Sequence, residues 1–214
     1  MTLPAPAQVG ALLEAAPEWF RAFIALAPFA GLRLGEAPGV QLGDVDFLRR
    51  VLQVTRQIQP GPDGELEDTP PKYGSERPVF LADGLLELLS AHAVRVPAKG
   101  KRWLFAGRGG GLLPPTTVGY RWRTTCRLAE VDGITFHDLR HFYASGLIAQ
   151  GCDVVTVQKA LGHAKATTTL AIYAHLWPTA EDKTRDAAGA LVDEVLSARN
   201  ARPNAADSVR TGAA

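Results

Sequence analysis

The chain has 214 residues, of which 46% are hydrophobic and 21% charged, a balance that fits one ordinary globular domain, alone or with a small appendage. No apolar run approaches the length of a membrane span, and the opening MTLPAPAQVG lacks the basic-then-apolar order of a secretory signal. The formal net charge of +1 argues mildly against tight nucleic-acid binding, and the two cysteines, Cys126 and Cys152, have no metal-ligand spacing and read as reduced thiols of a cytoplasmic protein.

The charge is unevenly spread. From Leu88 to Ala129 there is no Asp or Glu, while Arg95, Lys99, Lys101, Arg102, Arg108, Arg121, Arg123 and Arg127 all fall in that window. Acidic residues gather elsewhere, notably at Glu181, Asp182, Asp186, Asp193 and Glu194. A one-signed window inside a nearly neutral chain is the footprint expected of a surface that meets a phosphate backbone.

In chain order, residues 1–16 read as a linker and a short helix with Val9, Leu12 and Leu13 on its apolar side. A second helix starts at Pro17, a residue suited to a first turn. Trp19, Phe20, Phe23, Ile24 and Leu26 make it apolar nearly all round, so it belongs at the centre of the core, and Gly31 ends it. Val51–Ile58 alternates as a half-buried strand, Pro60–Gly64 and Pro71–Ser75 are turns, and the second turn leads into a strand at Arg77–Leu81. Ala82–Val94 carries leucines at helical spacing, and Trp103–Phe105 is a short extended piece. Ala106–Pro115 is a Gly- and Pro-rich loop without the GKS/T ending of a phosphate-binding loop. Thr116 or Thr117 can cap a helix to about Ala129, on which Arg121, Trp122, Arg123 and Arg127 ride.

The C-terminal half is the most informative. Thr135 caps a helix through HDLRHFYASG, whose apolar stripe is Leu139, Phe142, Tyr143, Gly146 and Leu147. His137 and Arg140 are neighbours on its opposite edge, and a cationic Arg beside an imidazole suits an oxyanion such as phosphate. Asp153 caps a helix closed by Gly162, directly before His163. A further helix from about Thr167 to Trp177, stopped by Pro178, puts Leu170, Tyr173, Ala174 and Trp177 on one side. Ala180–Leu196 is an amphipathic helix with Ala187, Leu191, Val192 and Leu196 apolar, and Asn200–Ala214 reads as disordered.

GLRLGE at Gly31–Glu36, PKYGSERPV at Pro71–Val79, HDLR at His137–Arg140, LGH at Leu161–His163 and YAH at Tyr173–His175 stand in that order across most of the chain. Each is weak alone; together they resemble the catalytic domain of tyrosine recombinases, the phage integrase family. The resemblance implies an α+β fold, mostly helical with a small antiparallel sheet near the N-terminal half. It makes residues 1–180 the catalytic domain and 181–199 a tail helix, with 200–214 disordered.

The same resemblance implies metal- and ATP-independent cutting and rejoining of double-stranded DNA, without a cofactor. Tyr173 would attack the scissile phosphate and form a 3′-phosphotyrosyl bond. A phenol with an ordinary pKa of about 10 needs a base, and His137 is the expected one. Arg33 and Arg140 would hold the non-bridging oxygens, His163 would add a donor, Glu36 would support them, and Lys72 would protonate the leaving 5′ oxygen. Arg121, Arg123, Arg127, Lys101 and Arg102 would contact DNA. The expected assembly is a tetrameric synapse, with the tail helix docking on the neighbouring copy.

Two departures accompany the resemblance. Pro38 falls where the family continues a helix, and an interior Pro would cost ~3 kcal/mol or more. GLRLGE begins about thirty residues in, so the clamp domain of full recombinases is expected to be absent, and DNA binding is expected to be weaker and less sequence-selective than that of a full-length relative. Rival classes are a type IB topoisomerase-like enzyme, a catalytically silent DNA-binding remnant, and a metallopeptidase. In the last, His137 and His141 imitate HExxH, with Asp138 too short for the usual Glu and Arg140 repelling a cation.

Overall fold

The computed structural model describes residues 3–96, 103–178 and 180–200. The chain divides into two compact units, Met1–Leu176 and Trp177–Ala214. In the first, α1 (Pro6–Ala15) leads to α2 (Glu18–Ala30). Pro17 is the cap residue of α2 rather than its first turn, and Glu18 opens the helix with a charge that suits its N-terminus. Phe20, Phe23, Ile24 and Leu26 are fully buried. The Phe23 ring is the hub of the core: it stacks on Phe20 at 5.4 Å, meets Phe105 edge-on at 5.2 Å and touches Phe136 at 5.6 Å.

Gly31 closes α2 with φ 64°, so that its N–H bonds to Ala27 O and the Leu32 N–H to Leu26 O. Only glycine suits this point for a second reason. A Cβ there would lie 2.5 Å from the Tyr143 ring. The residues after it form no regular helix. Arg33 lies in a turn, and Ala37–Gly39 is a single 3-10 turn with Pro38 buried near its start. The cost expected of Pro38 inside a helix is therefore not incurred, because there is no continuing hydrogen-bond ladder for it to break.

Among the described residues, five short strands make two antiparallel sheets. β1 (Val45–Asp46), β2 (Val51–Val54) and β5 (Arg77–Phe80) pair in the order β1-β2-β5, with Leu52 opposite Val79 and Val54 opposite Arg77. β3 (Gln57–Pro60) and β4 (Leu66–Thr69) form a hairpin. The alternation across Val51–Ile58, expected to be one strand, is thus broken into β2 and β3. At the break, Arg56 pairs with Asp44 and donates to Gly39 O at 3.2 Å, and bare Gly39 lets the Arg56 backbone come close. That contact turns the chain out of the first sheet. Trp103 forms an isolated antiparallel bridge to Gln41, and the Leu104 N–H bonds to Val40 O.

The remaining helices are α3 (Asp83–Ala93), α4 (Pro115–Leu128), α5 (Phe136–Ala149), α6 (Val154–Leu161) and α7 (Ala166–Tyr173). α5 packs across α2, and α6 packs on β5 and α7. Local signals set the ends. Thr135 and Asp138 form a reciprocal capping box on α5, and Asp153 caps α6, which Gly162 closes in the left-handed region. The cap of α4 is Pro114, followed by Pro115, and neither Thr116 nor Thr117 serves. α7 stops at Tyr173 and continues as a 3-10 turn, Ala174–Leu176, short of the expected Trp177. Its inward face is Thr169 and Tyr173, while Leu170 and Ala174 are exposed. In the second unit, α8 (Ala180–Asn200) exposes Leu191, Val192, Val195 and Leu196.

Gly31→Ala should lower stability by ~2–4 kcal/mol, since the left-handed backbone and the Tyr143 clash both oppose the methyl group. Urea unfolding of the two proteins side by side checks this, and a loss below ~1 kcal/mol would contradict it.

Candidate active site

The site begins where α2 ends. The turn after Leu32 bends Glu36 back onto Arg33: the Glu36 and Ala37 N–H groups bond to Arg33 O at 3.0 and 3.2 Å. The Glu36 carboxylate accepts from the Arg33 backbone N–H at 2.9 Å and from its guanidinium at 2.7 Å. From the opposite side Arg77 donates to both carboxylate oxygens, at 3.1 and 2.8 Å. Strand alternation aims it there, because Arg77 shares the inward face of β5 with Val79. Burial would push the Glu36 carboxyl up. The hydrogen bond and charge of Arg77, helped by Arg33, outweigh it and hold the group down at about 2.

The same two cations tie the site to α6. Arg77 Nε donates to Ala160 O at 3.1 Å, and Arg33 donates to Gly162 O at 3.2 Å and to the Ser75 hydroxyl at 2.8 Å. Arg140, on α5, is 2% exposed and donates to the carbonyls of Gly31 and Leu161. Those carbonyls lie at the C-terminal ends of α2 and α6, where helix dipoles favour a cation. Burial, then the charges of Arg33 and Arg77, push Arg140 down to about 9, still cationic at pH 7. Arg33, with 23% of its side chain exposed, is the cation of this group that reaches solvent.

Three histidines surround the cluster. His163 follows Gly162, and its Nδ1 is 2.9 Å from the buried Thr169 hydroxyl. Burial and then the charges of Arg140, Arg33 and Arg77 push it down to about 4, so the ring is neutral at pH 7. With Nδ1 engaged by the Thr169 hydroxyl, Nε2 is the ring nitrogen left to meet a ligand. His137 lies in the first turn of α5, pushed down by burial and then by Arg140. Its ring meets His141 edge-on at 4.6 Å.

Tyr173 is 1% exposed, and its hydroxyl is 2.7 Å from His141 Nδ1. Burial pushes the phenol up, and the charge of Arg140 opposes it, so Tyr173 lies within the field of that guanidinium. The structure therefore brings together Arg33, Glu36, His137, Arg140, His163 and Tyr173. Lys72 stands apart, exposed in the 3-10 turn Lys72–Gly74 that precedes Ser75. Arg123 and Arg127 are exposed on α4 and Arg121 is half-buried, while Trp122 turns inward against Phe136. Lys101 and Arg102 lie outside the described residues. Among the described residues no group of His, Cys, Asp and Glu is clustered to hold a metal.

A sequence model described as the phage integrase family matches residues 5–179. The chain belongs to this family. Among its relatives, the ICEBs1 integrase of Bacillus subtilis (strain 168) is 28% identical over 188 residues, covering 78% of this chain and 48% of the relative. Tyrosine recombinase XerD of Bifidobacterium longum (strain NCC 2705) is 33% identical over 152 residues, covering 69% of this chain and 46% of the relative. The chain thus spans about half the length of the curated relatives it matches. Two solved structures share the fold. The Tn1549 transposon integrase in complex with transposon right end DNA has a TM-score of 0.74 at 20% identity, covering 89% of this chain and 66% of that one. The catalytic domain of bacteriophage HP1 integrase has a TM-score of 0.59 at 18% identity, covering 87% and 94%.

Within this integrase-family domain, sequence reasoning missed Arg77, Ser75, Thr169 and His141. Arg77 had a legible signal: it is in phase with Val79 and Leu81 on an alternating strand, so an Arg there must be buried and paired. His141 had one too, being four residues after His137 and so on its face of α5. That spacing pointed only to a metal pair.

Glu36→Gln should erase a pH-dependent part of stability. The carboxyl falls from an ordinary 4.5 to about 2 on folding, so it contributes ~3 kcal/mol that is present above pH 4.5 and lost as pH falls toward 2. Denaturant unfolding at pH 7 and pH 3 should show that slope in the wild type and a flatter one in the variant.

Proposed function

We propose that this domain cuts and rejoins double-stranded DNA as a site-specific recombinase, through a 3′-phosphotyrosyl intermediate on Tyr173 and without metal or ATP. The observation that carries the reading is the charge of the site. Arg33, Arg77 and Arg140 surround the single carboxylate of Glu36, an excess of two positive charges beside a buried tyrosine. A phosphodiester carries one negative charge. The pentavalent state formed by phenolate attack carries two on its non-bridging oxygens, so such a site favours the transition state over the ground state.

In this mechanism the Arg33 and Arg140 guanidinium groups hold the non-bridging oxygens, and neutral His163 adds its Nε2–H. The phenol proton passes to an imidazole of α5, the role that the family resemblance gives to His137. Lys72, exposed on its turn, swings in with bound DNA and protonates the leaving 5′ oxygen. Arg121, Arg123 and Arg127 on α4 contact the duplex, with Lys101 and Arg102 extending the same basic surface. The solved Tn1549 integrase is bound to transposon-end DNA, and a duplex is the substrate proposed for this chain. Synapsis by four copies in the cytoplasm, with α8 of one copy docking its exposed Leu191, Val192, Val195 and Leu196 on the next, completes the reading.

The test is a pool of duplexes that carry a nick beside a randomised segment, so that the short cleaved strand diffuses away and adducts accumulate. Wild type should yield an SDS-resistant protein–DNA adduct, and Tyr173→Phe should yield none. Absence of adduct from wild type would sink the enzyme. Lys72→Ala should slow cleavage by ~10²-fold or more and recover on a substrate with sulfur as the leaving 5′ atom, which needs no proton. Arg123→Ala with Arg127→Ala should weaken binding uniformly across sequences and reduce the salt slope by about 2.

A further inference from the structure

We propose that His141 is the catalytic residue that takes the proton of Tyr173. The inference rests on the recombinase reading above and deepens it, since the resemblance gave this role to His137. A candidate base must first lie within hydrogen-bond reach of the proton it abstracts. His141 meets that condition already, with Nδ1 2.7 Å from the Tyr173 hydroxyl.

The direction of this bond follows from burial. Tyr173 is 1% exposed and His141 9%. Among the described residues, His141 Nδ1 is the one hydrogen-bond partner of the phenol oxygen. If Nδ1 donated, the phenol proton would be left buried without an acceptor, which is unfavourable. A neutral ring with its proton on Nε2 leaves Nδ1 free to accept. Burial and then the neighbouring His137 hold the His141 ring below its ordinary value, which keeps it neutral at pH 7.

The surroundings bear on the charged product as well, and on balance they oppose it, with Asp138 the one group that favours it. After transfer His141 is an imidazolium close to His137 and Arg140, both unfavourable. The Asp138 carboxylate opposes them; it is fixed by the Thr135 N–H and hydroxyl at 2.8 and 2.7 Å. In cleavage the Oη–H bond breaks and its proton goes to Nδ1, while the oxygen pair forms the Oη–P bond. The P–O5′ bond breaks, and the 5′ oxygen takes a proton from Lys72. In rejoining, the 5′ oxygen attacks phosphorus, Lys72 recovers a proton, and the imidazolium returns its own to Tyr173. His137 is then free to donate to the phosphate.

The experiment uses the full chain and the duplex that wild type selects from the randomised nicked pool. His141→Asn puts an amide oxygen near the Nδ1 position, so it can hold the hydroxyl but cannot accept a proton. Under single-turnover conditions at saturating DNA, His141→Asn should form adduct ~10²-fold or more slowly than wild type, with DNA affinity within about twofold. A loss below about tenfold, or faster cleavage, overturns the proposal; faster cleavage would make His141 a latch that restrains the tyrosine. If wild type itself forms no adduct, the recombinase reading fails instead. A measurement on the wild-type fold stands beside this one. In ¹⁵N-histidine spectra at pH 7, His141 Nδ1 should be unprotonated and should shift in Tyr173→Phe. A protonated Nδ1 in the neutral ring overturns the assignment.

Discussion

The carboxylate of Glu36 is the constraint on which the rest depends. Two guanidinium groups from distant parts of the chain, Arg33 and Arg77, bind it from opposite sides, and each also reaches across to carbonyls at the end of α6. One anion thereby fixes the end of α2, the inward face of β5 and the closing turn of α6. A buried ion pair is seldom a net gain over apolar packing, because desolvation offsets the attraction. Here the arrangement makes sense as a scaffold. It stores more positive than negative charge at one point and holds it in place in advance, so in the proposed reaction the site would need no reorganisation when a phosphate arrives.

Arg140 completes this logic by a different route. Among the described residues it has no carboxylate partner of its own, and it donates to the carbonyls that end α2 and α6. Those carbonyls are present because Gly31 and Gly162 both close their helices in the left-handed region. Two glycines that look like simple helix stops therefore also shape the anion site. A side chain at Gly162 would meet Arg77 at 2.8 Å and push it off Glu36.

Much of this was legible in the sequence. Capping residues fixed α5 and α6, since Thr135, Asp153 and Gly162 act through bonds to their own neighbours. The α+β class, with a small antiparallel sheet and a helical remainder, was implied by the family resemblance that the ordered motifs carry. What failed depended on tertiary contact. The split between β2 and β3 is caused by Arg56 reaching Asp44 and Gly39, which no local pattern encodes. The face of α7 was misjudged for a related reason. Leu170, Tyr173 and Ala174 are expected on one side, yet of these only Tyr173 is buried, and Thr169 joins it, the two hydrogen-bonded to His141 and His163. Polar pairing across helices outranked hydrophobicity there.

That outcome bears on how a buried tyrosine can act on DNA. The α7 helix is short, Ala166–Tyr173, and its inward residues are held by two histidine contacts rather than by a broad apolar face. A hydrogen bond contributes about 1 kcal/mol net, far less than the burial of a large apolar stripe. In the proposed reaction, a shift of this short element toward a bound duplex would have to overcome the burial of Tyr173 as well as these contacts. Such a shift need not part the phenol from His141, because both lie at the same corner of the domain. The neutral imidazoles and the fixed guanidinium charges then act on one oxygen from different sides. In the reaction proposed above, the imidazole receives the proton, and the cations favour the negative charge that develops as it leaves.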